Sequence, residues 1–555
     1  MLAVGALGAS ATRVHAQSNY RLAPVGGRTT LVGGTGVVYG HDGASAFLNP
    51  ATAVRIDDDR LSFSVNFYSM SLVSAPRWYR PGIVDEKTFG PVDSSDATMT
   101  DLEFNALPSS LCFFFRMADI PLLKGEAKED IRLRAARFGL CFASVQSQTF
   151  NFAAESRSQV GPAGVLHQAQ TLSQSYTRFS FGPTYAMYIT DRLALGASLH
   201  ASFASHRGAL DGAATSYGGG RRPVGSFLYS AARGDSFQLT GTVGLTYRYH
   251  EQTFGLVVES PSLHIYGVGS ANYYTHFEGA GQLTSTTQMT GSFASRSPTR
   301  ISLGTGIEKK WGSAELNVSY YAPMSRAFTA NLNGNVVQMS GETISDQETG
   351  VSVSQGTRGV VNIGLGGEVF IFPKLSVLGG VSTDLSAIRQ GALTPDLINY
   401  YPSRNNRYSA SLGVGSHGEG GNLLVGTEFA FSGGDRLAVN SFKTPPDVDT
   451  APHATFQLLF VIAGSTSLLA LKRAYKDVTE VISQPEKARQ QAPEHAPLDD
   501  THPIADQTKP PPAPDPSAEE PKDREPPPPV APPEPPPPIP THPIPAKPKP
   551  RAPRP

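Results

Sequence analysis

Phe237–Arg248, FQLTGTVGLTYR, alternates in period two. Its odd positions, Phe237, Leu239, Val243, Leu245 and Tyr247, are mostly apolar, and its even ones are Gln, Thr, Gly or Arg. An amphipathic helix would repeat its apolar positions every ~3.6 residues, so the stretch is read as a half-buried strand. The same alternation runs through Leu193 to Phe203, Ile301 to Ile307, Ala314 to Tyr320, Val361 to Ile371 and Leu423 to Phe431. It begins at Arg60 to Val73, where Leu61, Phe63, Val65 and Phe67 alternate with Ser62, Ser64 and Asn66.

Composition narrows the setting. Charged residues make up 17% of the 555 and Gly accounts for 55, yet the mean hydropathy is −0.21. Soluble domains carry nearer a quarter charged residues. A transmembrane β-barrel fits better, because only every second residue meets lipid. A net charge of −1 offers no basic surface for nucleic acid. No run reaches the ~18–20 apolar residues of a membrane helix. Leu458 to Leu471 comes nearest, is interrupted by Gly464, Ser465, Thr466 and Ser467, and reads as a last strand running into a short helix. Leu2 to Ala11 is short and apolar, and Val14-His15-Ala16 offers a small-residue cleavage site before Gln17, as at the end of an export signal. Cys112 and Cys141 have no metal-ligand spacing; unpaired, unreactive thiols are the favoured reading, and pairing in an oxidising compartment is the alternative.

Connections between strands carry as much information as the strands. Short ones lie at Thr190 to Arg192, His250 to Gln252, Lys309 to Gly312, Phe372 to Lys374 and Ser416 to Gly420. Long polar ones are expected at Pro76 to Asp101, Gln148 to Gln170, His206 to Asp235, Tyr266 to Pro298, Ser325 to Gly356, Ala387 to Asn405 and Ser432 to His453. Alternation of long and short loops is the pattern of an outer-membrane barrel, here all-β and antiparallel with about 14 strands. Both barrel ends then fall on the short-turn, periplasmic side.

Ahead of the first strand lies Gly33–Ala51, GGTGVVYGHDGASAFLNPA, rich in Gly and Ala and without either period. Irregular backbone at membrane depth must be shielded from lipid, so this stretch is expected to sit inside the barrel as a plug. The expected division is residues 1–16 signal-like, 17–59 plug, 60–470 barrel, 471–483 short helix or linker, and 484–555 tail. More than half of the 46 prolines lie in that tail, in runs such as Pro526–Pro529 and Pro535–Pro538. It is expected to be extended, unpacked and periplasmic, some 60 of its residues reaching ~190 Å at ~3.1 Å per residue. A solvated tail and a tether to a periplasmic or cell-wall partner both stay open.

Little in the chain points to covalent chemistry. Gly34-Thr35-Gly36 lacks the strand and helix of a dinucleotide loop. Val414–Gly418 has the Ser of a nucleophile elbow but not its first Gly, and reads as a turn. The 13 His residues include no helical metal-binding pair, and Asp57-Asp58-Asp59 reads as a solvated turn. No catalytic residue, metal or cofactor is expected. More informative are Arg248, Glu259, Glu308, Glu315, Glu368 and Glu428, each on the polar face of its strand. A basic residue facing mid-bilayer costs ~2–4 kcal/mol, an acidic one less, so the register should turn these groups into the lumen. There they would pair with one another or with the plug.

Asp42-Gly43-Ala44-Ser45-Ala46-Phe47-Leu48-Asn49-Pro50-Ala51, just ahead of the first strand, resembles the N-terminal hatch of the FadL-type outer-membrane transporters of long-chain fatty acids and other hydrophobic compounds. Gly182–Ala186 with Asp191–Leu199, and Val243–Arg248 with Phe254–Leu256, are similar to barrel hairpins of that family. The resemblance extends over about residues 24 to 470. It implies a fourteen-stranded barrel, a plugged lumen with Asp42, Asn49, Pro50 and Ala51 in the hatch motif, and passive uptake of apolar ligands. Family members usually end at their last strand, whereas this chain runs on into the Pro-rich tail. The leading expectation is therefore a transporter of hydrophobic compounds in the bacterial outer membrane, with the bilayer and an apolar small molecule as partners. The alternative is a structural or assembly protein whose tail tethers a periplasmic partner. A lumen lined by apolar residues near the plug favours the first, and a sealed polar lumen the second.

Overall fold

An open sheet of half-apolar strands would leave an unpaired edge in lipid, and closing it into a barrel removes that edge. The computed structural model of the chain describes residues 19–20, 25–56, 60–74, 98–103, 108–117, 135–160, 164–218, 221–278, 282–388, 404–418, 420–440 and 447–467. Residues 1–16, Asp57–Asp59, the helix expected at 471–483 and the tail from 484 lie outside them.

The strands run, in order, β1 (Arg60–Ser74), β2 (Thr98–Glu103), β3 (Pro108–Arg116), β4 (Arg137–Val160), β5 (Gly164–Thr190), β6 (Leu193–Gly218), β7 (Arg221–Tyr249), β8 (Gln252–Glu259), β9 (Leu263–Glu278) and β10 (Leu283–Ser295). They continue as β11 (Arg300–Lys309), β12 (Gly312–Tyr321), β13 (Met324–Ser340), β14 (Thr343–Thr357), β15 (Val360–Phe372), β16 (Leu375–Asp384), β17 (Arg404–Gly418), β18 (Gly421–Asn440) and β19 (Asp447–Ser467). All belong to one antiparallel sheet of nineteen strands, closed by the ladder from Arg60–Ser467 to Ser74–Ala454. Five pairs continue one another end to end: β2 with β3, β8 with β9, β10 with β11, β12 with β13, and β14 with β15. Fourteen staves therefore surround the bore, an even number. Both barrel ends, Arg60 and Ser467, lie on the side of the short turns.

Outward positions carry the apolar residues, as at Leu303, Leu365 and Leu412, which are exposed, while their neighbours Ser302, Gly364 and Ser411 are buried. Two-residue turns join β5 to β6, β7 to β8, β11 to β12 and β15 to β16. Across the barrel the expected long loops prove to be mostly strand. The β4–β5 ladder runs on to Val160–Gly164 and the β6–β7 ladder to Gly218–Arg221. The β9–β10 ladder reaches Phe277–Leu283, the β13–β14 ladder Ser340–Thr343 and the β18–β19 ladder Asn440–Asp447. Above the lipid both faces of a ladder meet water, so its side chains turn polar while the backbone pairing continues. Polarity there marks height along the strand, not a loop. The loops expected at Pro76–Asp101 and Ala387–Asn405 lie largely outside the described residues. Val414–Gly418 is likewise part of β17 and not a turn.

Cys112 and Cys141 face each other across the β3–β4 ladder and form a disulfide, which corrects the reading as free thiols. Register, which spacing along the sequence does not report, brings them together.

Candidate functional site

Residues 25–56, ahead of β1, lie inside the bore. Two short helices, α1 (Gly27–Leu31) and α2 (Ser45–Leu48), and a 3-10 helix (Pro50–Arg55) are nearly all buried. The 3-10 helix rests on β5, β6 and β7, and α1 on β16 to β19. Wall glycines make the close approach possible. A Cβ at Gly244 would stand 1.9 Å from Asn49 Oδ1, and one at Gly366 2.0 Å from the Val32 carbonyl oxygen.

Asn49 is the pivot of this inner segment. Proline at position 50 keeps it out of the helical region, and its φ of −150° and ψ of 102° are extended. Its Oδ1 accepts from Ala51 N at 3.0 Å, capping the 3-10 helix, and its Nδ2 donates to the carbonyls of Val37 at 2.6 Å and Leu245 at 3.4 Å. One fully buried side chain thus joins both halves of the segment to the wall. Pro50 opens the 3-10 helix, and Ala51 lies fully buried within it. Asp42 accepts from Ala44 N at 3.0 Å through Oδ1 and from Arg28 N at 3.1 Å through Oδ2. It fastens α1 to the loop ahead of α2.

Most of the acidic residues singled out in the sequence face inward and meet this segment. Glu315 accepts three of its backbone amides: Gly36 N at 3.0 Å, Val38 N at 2.8 Å and Tyr39 N at 3.1 Å. Glu368 is paired with Arg28 at 2.9 Å, and Arg28 also donates to the Tyr39 carbonyl at 2.8 Å. Glu308 pairs with Arg55 at 3.0 Å, whose guanidinium lies 4.8 Å from the centre of the Tyr39 ring. Glu259 pairs with Arg300 at 2.6 Å, and Arg300 donates to the Phe47 carbonyl at 2.7 Å. Glu428 pairs with Arg407 of the neighbouring strand at 2.9 Å and is part of the wall alone. Arg248 departs from the expectation. It has the inward parity of Thr246 and Thr242, but it stands at the rim beside the β7–β8 turn, exposed, with Nε directed at the His250 carbonyl. At that height the inward face opens to water.

The cations Arg28, Arg55 and Arg300, which sequence reasoning passed over, carry the other half of these contacts. Their signal was present: two lone arginines in a Gly- and Ala-rich segment need buried counter-charges, and the wall glutamates were already assigned inward.

Two cavities flank the segment. Below it, toward the short turns, Arg28, Asp42, Arg55, Glu308, Glu368 and His417 border a charged vestibule. Here Ser376 Oγ lies 2.8 Å from His417 Nε2, but the Glu368 carboxylate contacts that same ring nitrogen at 3.0 Å. A base held for nucleophilic attack needs its carboxylate on the opposite nitrogen, so this is a packing network and not a hydrolase site. Above the segment lies a chamber with about 1530 Å³ of empty volume, part of it open to solvent. Its lining is mixed: Ser180, Ser202, Thr242, Asn317 and the ion pairs of Arg300 and Arg407 stand beside apolar groups such as Val37 and Phe47. It is neither the apolar lumen that would favour a transporter nor the sealed polar one that would favour a tether. Apolar residues gather higher, where Met289, Phe293, Phe328 and Leu332 pack together, with Phe293 and Phe328 edge to face at 4.9 Å. His206 of β6 meets both rings.

Beside this cluster the wall ladder is interrupted. β8 pairs with β11 only up to Glu259–Arg300, and β9 with β10 only from Val268–Ser292. Between them, residues 260–267 and 293–299 share no strand ladder, and Ser262 N and Ser297 N reach across, to the Ser297 carbonyl at 3.0 Å and to Ser262 Oγ at 2.8 Å.

The architecture matches solved barrels. The crystal structure of a Pseudomonas aeruginosa FadL homologue aligns with a TM-score of 0.52 and 12% identity, over 81% of this chain and 100% of the homologue. The chain shares that barrel's fold. The CymD monoaromatic hydrocarbon channel aligns at TM-score 0.47 and 13% identity, over 81% of this chain and 99% of the channel. The Pseudomonas putida toluene transporter TodX aligns at 0.46 and 13%, over 82% of this chain and 100% of the transporter. No family model matches the sequence, and no curated protein matches it either. Among the described residues there is no cluster of His, Cys, Asp or Glu suited to a metal.

Proposed function

We propose that the chain is an outer-membrane transport protein for the passive uptake of hydrophobic compounds, with residues 27–56 as the hatch that closes its bore. The observation that carries this reading is the seating of that segment. It is held by directional contacts, Glu315 on three amides and Asn49 on two carbonyls, and not by continuous strand pairing. Having no ladder bonds to the wall, the segment leaves its seat at the cost of these contacts and of apolar packing such as that of Leu31 and Phe47, while the wall ladder stays intact. The FadL-type fold supports the same reading. So does the placing of the apolar cluster of Phe293 and Phe328 beside the interrupted ladder. An apolar solute at that cluster has a short path through the wall to lipid and need not pass the ion pairs of the chamber below. Long-chain fatty acids are one cargo of suitable chemistry; monoaromatic hydrocarbons are another.

The test is uptake of a labelled fatty acid and of labelled toluene by cells holding equal amounts of folded wild type and Asn49→Ala. Removing the cap, the bond to Val37 within the segment and the bond to Leu245 of the wall should change uptake of at least one cargo, with little loss of barrel stability. Equal uptake of both by wild type, variant and cells without the protein would remove the transport reading.

A further inference from the structure

The outer face of the barrel carries two arginines that the bore does not use. Arg207 of β6 and Arg233 of β7 are directly opposed in the ladder and both are exposed. Like charges in opposed positions are about 5 Å apart at Cβ and repel. One carboxylate lies near: Asp235 Oδ2 is 2.8 Å from Arg233 Nε, and its Oδ1 accepts from Ser205 Oγ at 2.7 Å. Among the described residues Arg207 has no ion-pair partner, so the pair keeps one uncompensated positive charge. The two guanidiniums border a shallow dent floored by Ala209 and Ala231 and edged by the donors Ser175, Ser270 and Asn272, with Ser173 donating to Asn151 Oδ1 at 2.8 Å. Small floor residues and a polar edge leave room for a group of oxyanion size against the sheet.

The height of this dent selects its occupant. On β6 the outward residues Leu195, Leu199 and Phe203 are exposed and apolar, and on β7 so are Val243 and Tyr247. Ten residue steps from Leu193 to Phe203, at ~3.3 Å each and tilted by ~40°, cover about 25 Å, the thickness of a barrel's apolar band. Phe203, Phe181 and Tyr266, all exposed, mark its upper edge. Arg207 lies four residues further along β6, about 10 Å higher by the same rise and tilt, level with lipid headgroups. A free anion could meet the dent anywhere in solution, but this position faces the leaflet sideways. We propose that the Arg207–Arg233 pair is a binding site for a phosphate of a phosphorylated lipid headgroup in the outer leaflet. The guanidinium forks supply planar, charge-assisted donors to phosphate oxygens, and the bound anion removes the repulsion between them. The site is independent of what the bore transports.

The experiment uses the full chain in phosphatidylcholine nanodiscs containing lipid A with both phosphates, and reads bound lipid A by native mass spectrometry. Wild type should retain it, and Arg207→Ala/Arg233→Ala should retain about tenfold less, as expected for losing two charge-assisted contacts. Arg207→Lys should keep most of the binding. Arg207→Glu, which places a carboxylate opposite Arg233, should lose it while the barrel still shows heat-modifiable gel migration, which separates lost binding from lost folding. Equal retention by the double alanine variant, or equal retention of lipid A without phosphates, overturns the proposal. Displacement of lipid A by millimolar inorganic phosphate would make this a free-anion site and also overturn it.

Discussion

Replacing Glu315 by Ala is the sharpest perturbation of the inner segment. Its carboxylate, only 3% exposed, accepts from Gly36 N, Val38 N and Tyr39 N at 2.8–3.1 Å. A hydrogen bond to a charged group contributes about 1.5–3 kcal/mol net, and the change would strand three inward-facing amides. Water entering from the chamber will satisfy some of them, so the lower bound is the better guide: about 4.5 kcal/mol for the three. At ~1.4 kcal/mol per decade, the seated state loses roughly a thousandfold or more in population relative to the released one. The wall should be unaffected, because Glu315 contributes to the β12 ladder through its backbone, which alanine retains. Hydrogen exchange followed by mass spectrometry should show residues 36–39 losing protection while the β5–β6 ladder keeps it. Single-channel recording should show new openings. Glu315→Gln should fall between, since one of its two acceptor oxygens becomes a donor aimed at an N–H. If residues 36–39 stay as protected in Glu315→Ala as in wild type, the carboxylate clamp does not hold the inner segment and the reasoning fails.

Two further outcomes follow from the same contacts. Denatured without reductant, the full chain should show no free thiol, because Cys112 and Cys141, 29 residues apart, are bonded; reaction of either with maleimide in the untreated protein would contradict the pairing. His41, in the inner segment, is held down to about 3 by burial first and then by Arg28 and Arg55. Its seated ring is neutral, whereas a released ring titrates near ~6.5, so this contribution to seating is complete above that value and is lost as pH falls toward 3. Channel openings should therefore rise between pH of about 7 and about 5, and His41→Gln should flatten that dependence.

Much of the barrel was legible residue by residue. Period-two alternation is a local property, because each outward side chain meets lipid whatever its partner strand, so Phe237–Arg248 declares itself without any neighbour. The inward side of Glu315 and Glu368 followed from the same local cost of charge in lipid. So did the irregular segment inside the bore, since backbone without strand pairing has nowhere else to go at that depth. Closure and register decided the rest. That Glu315 serves three amides, that Glu368 meets Arg28 across 340 residues, and that Cys112 opposes Cys141 depend on which staves become neighbours and at what offset. The polar stretches read as loops became strand because ladder bonds belong to backbone, which no side-chain pattern reports above the membrane. Arg248 shows the limit from the other side: its parity was right, but its height at the rim was fixed only by where the β7–β8 turn falls. Alternation sets which way a side chain points, and only the closed sheet sets how deep it lies and what it meets.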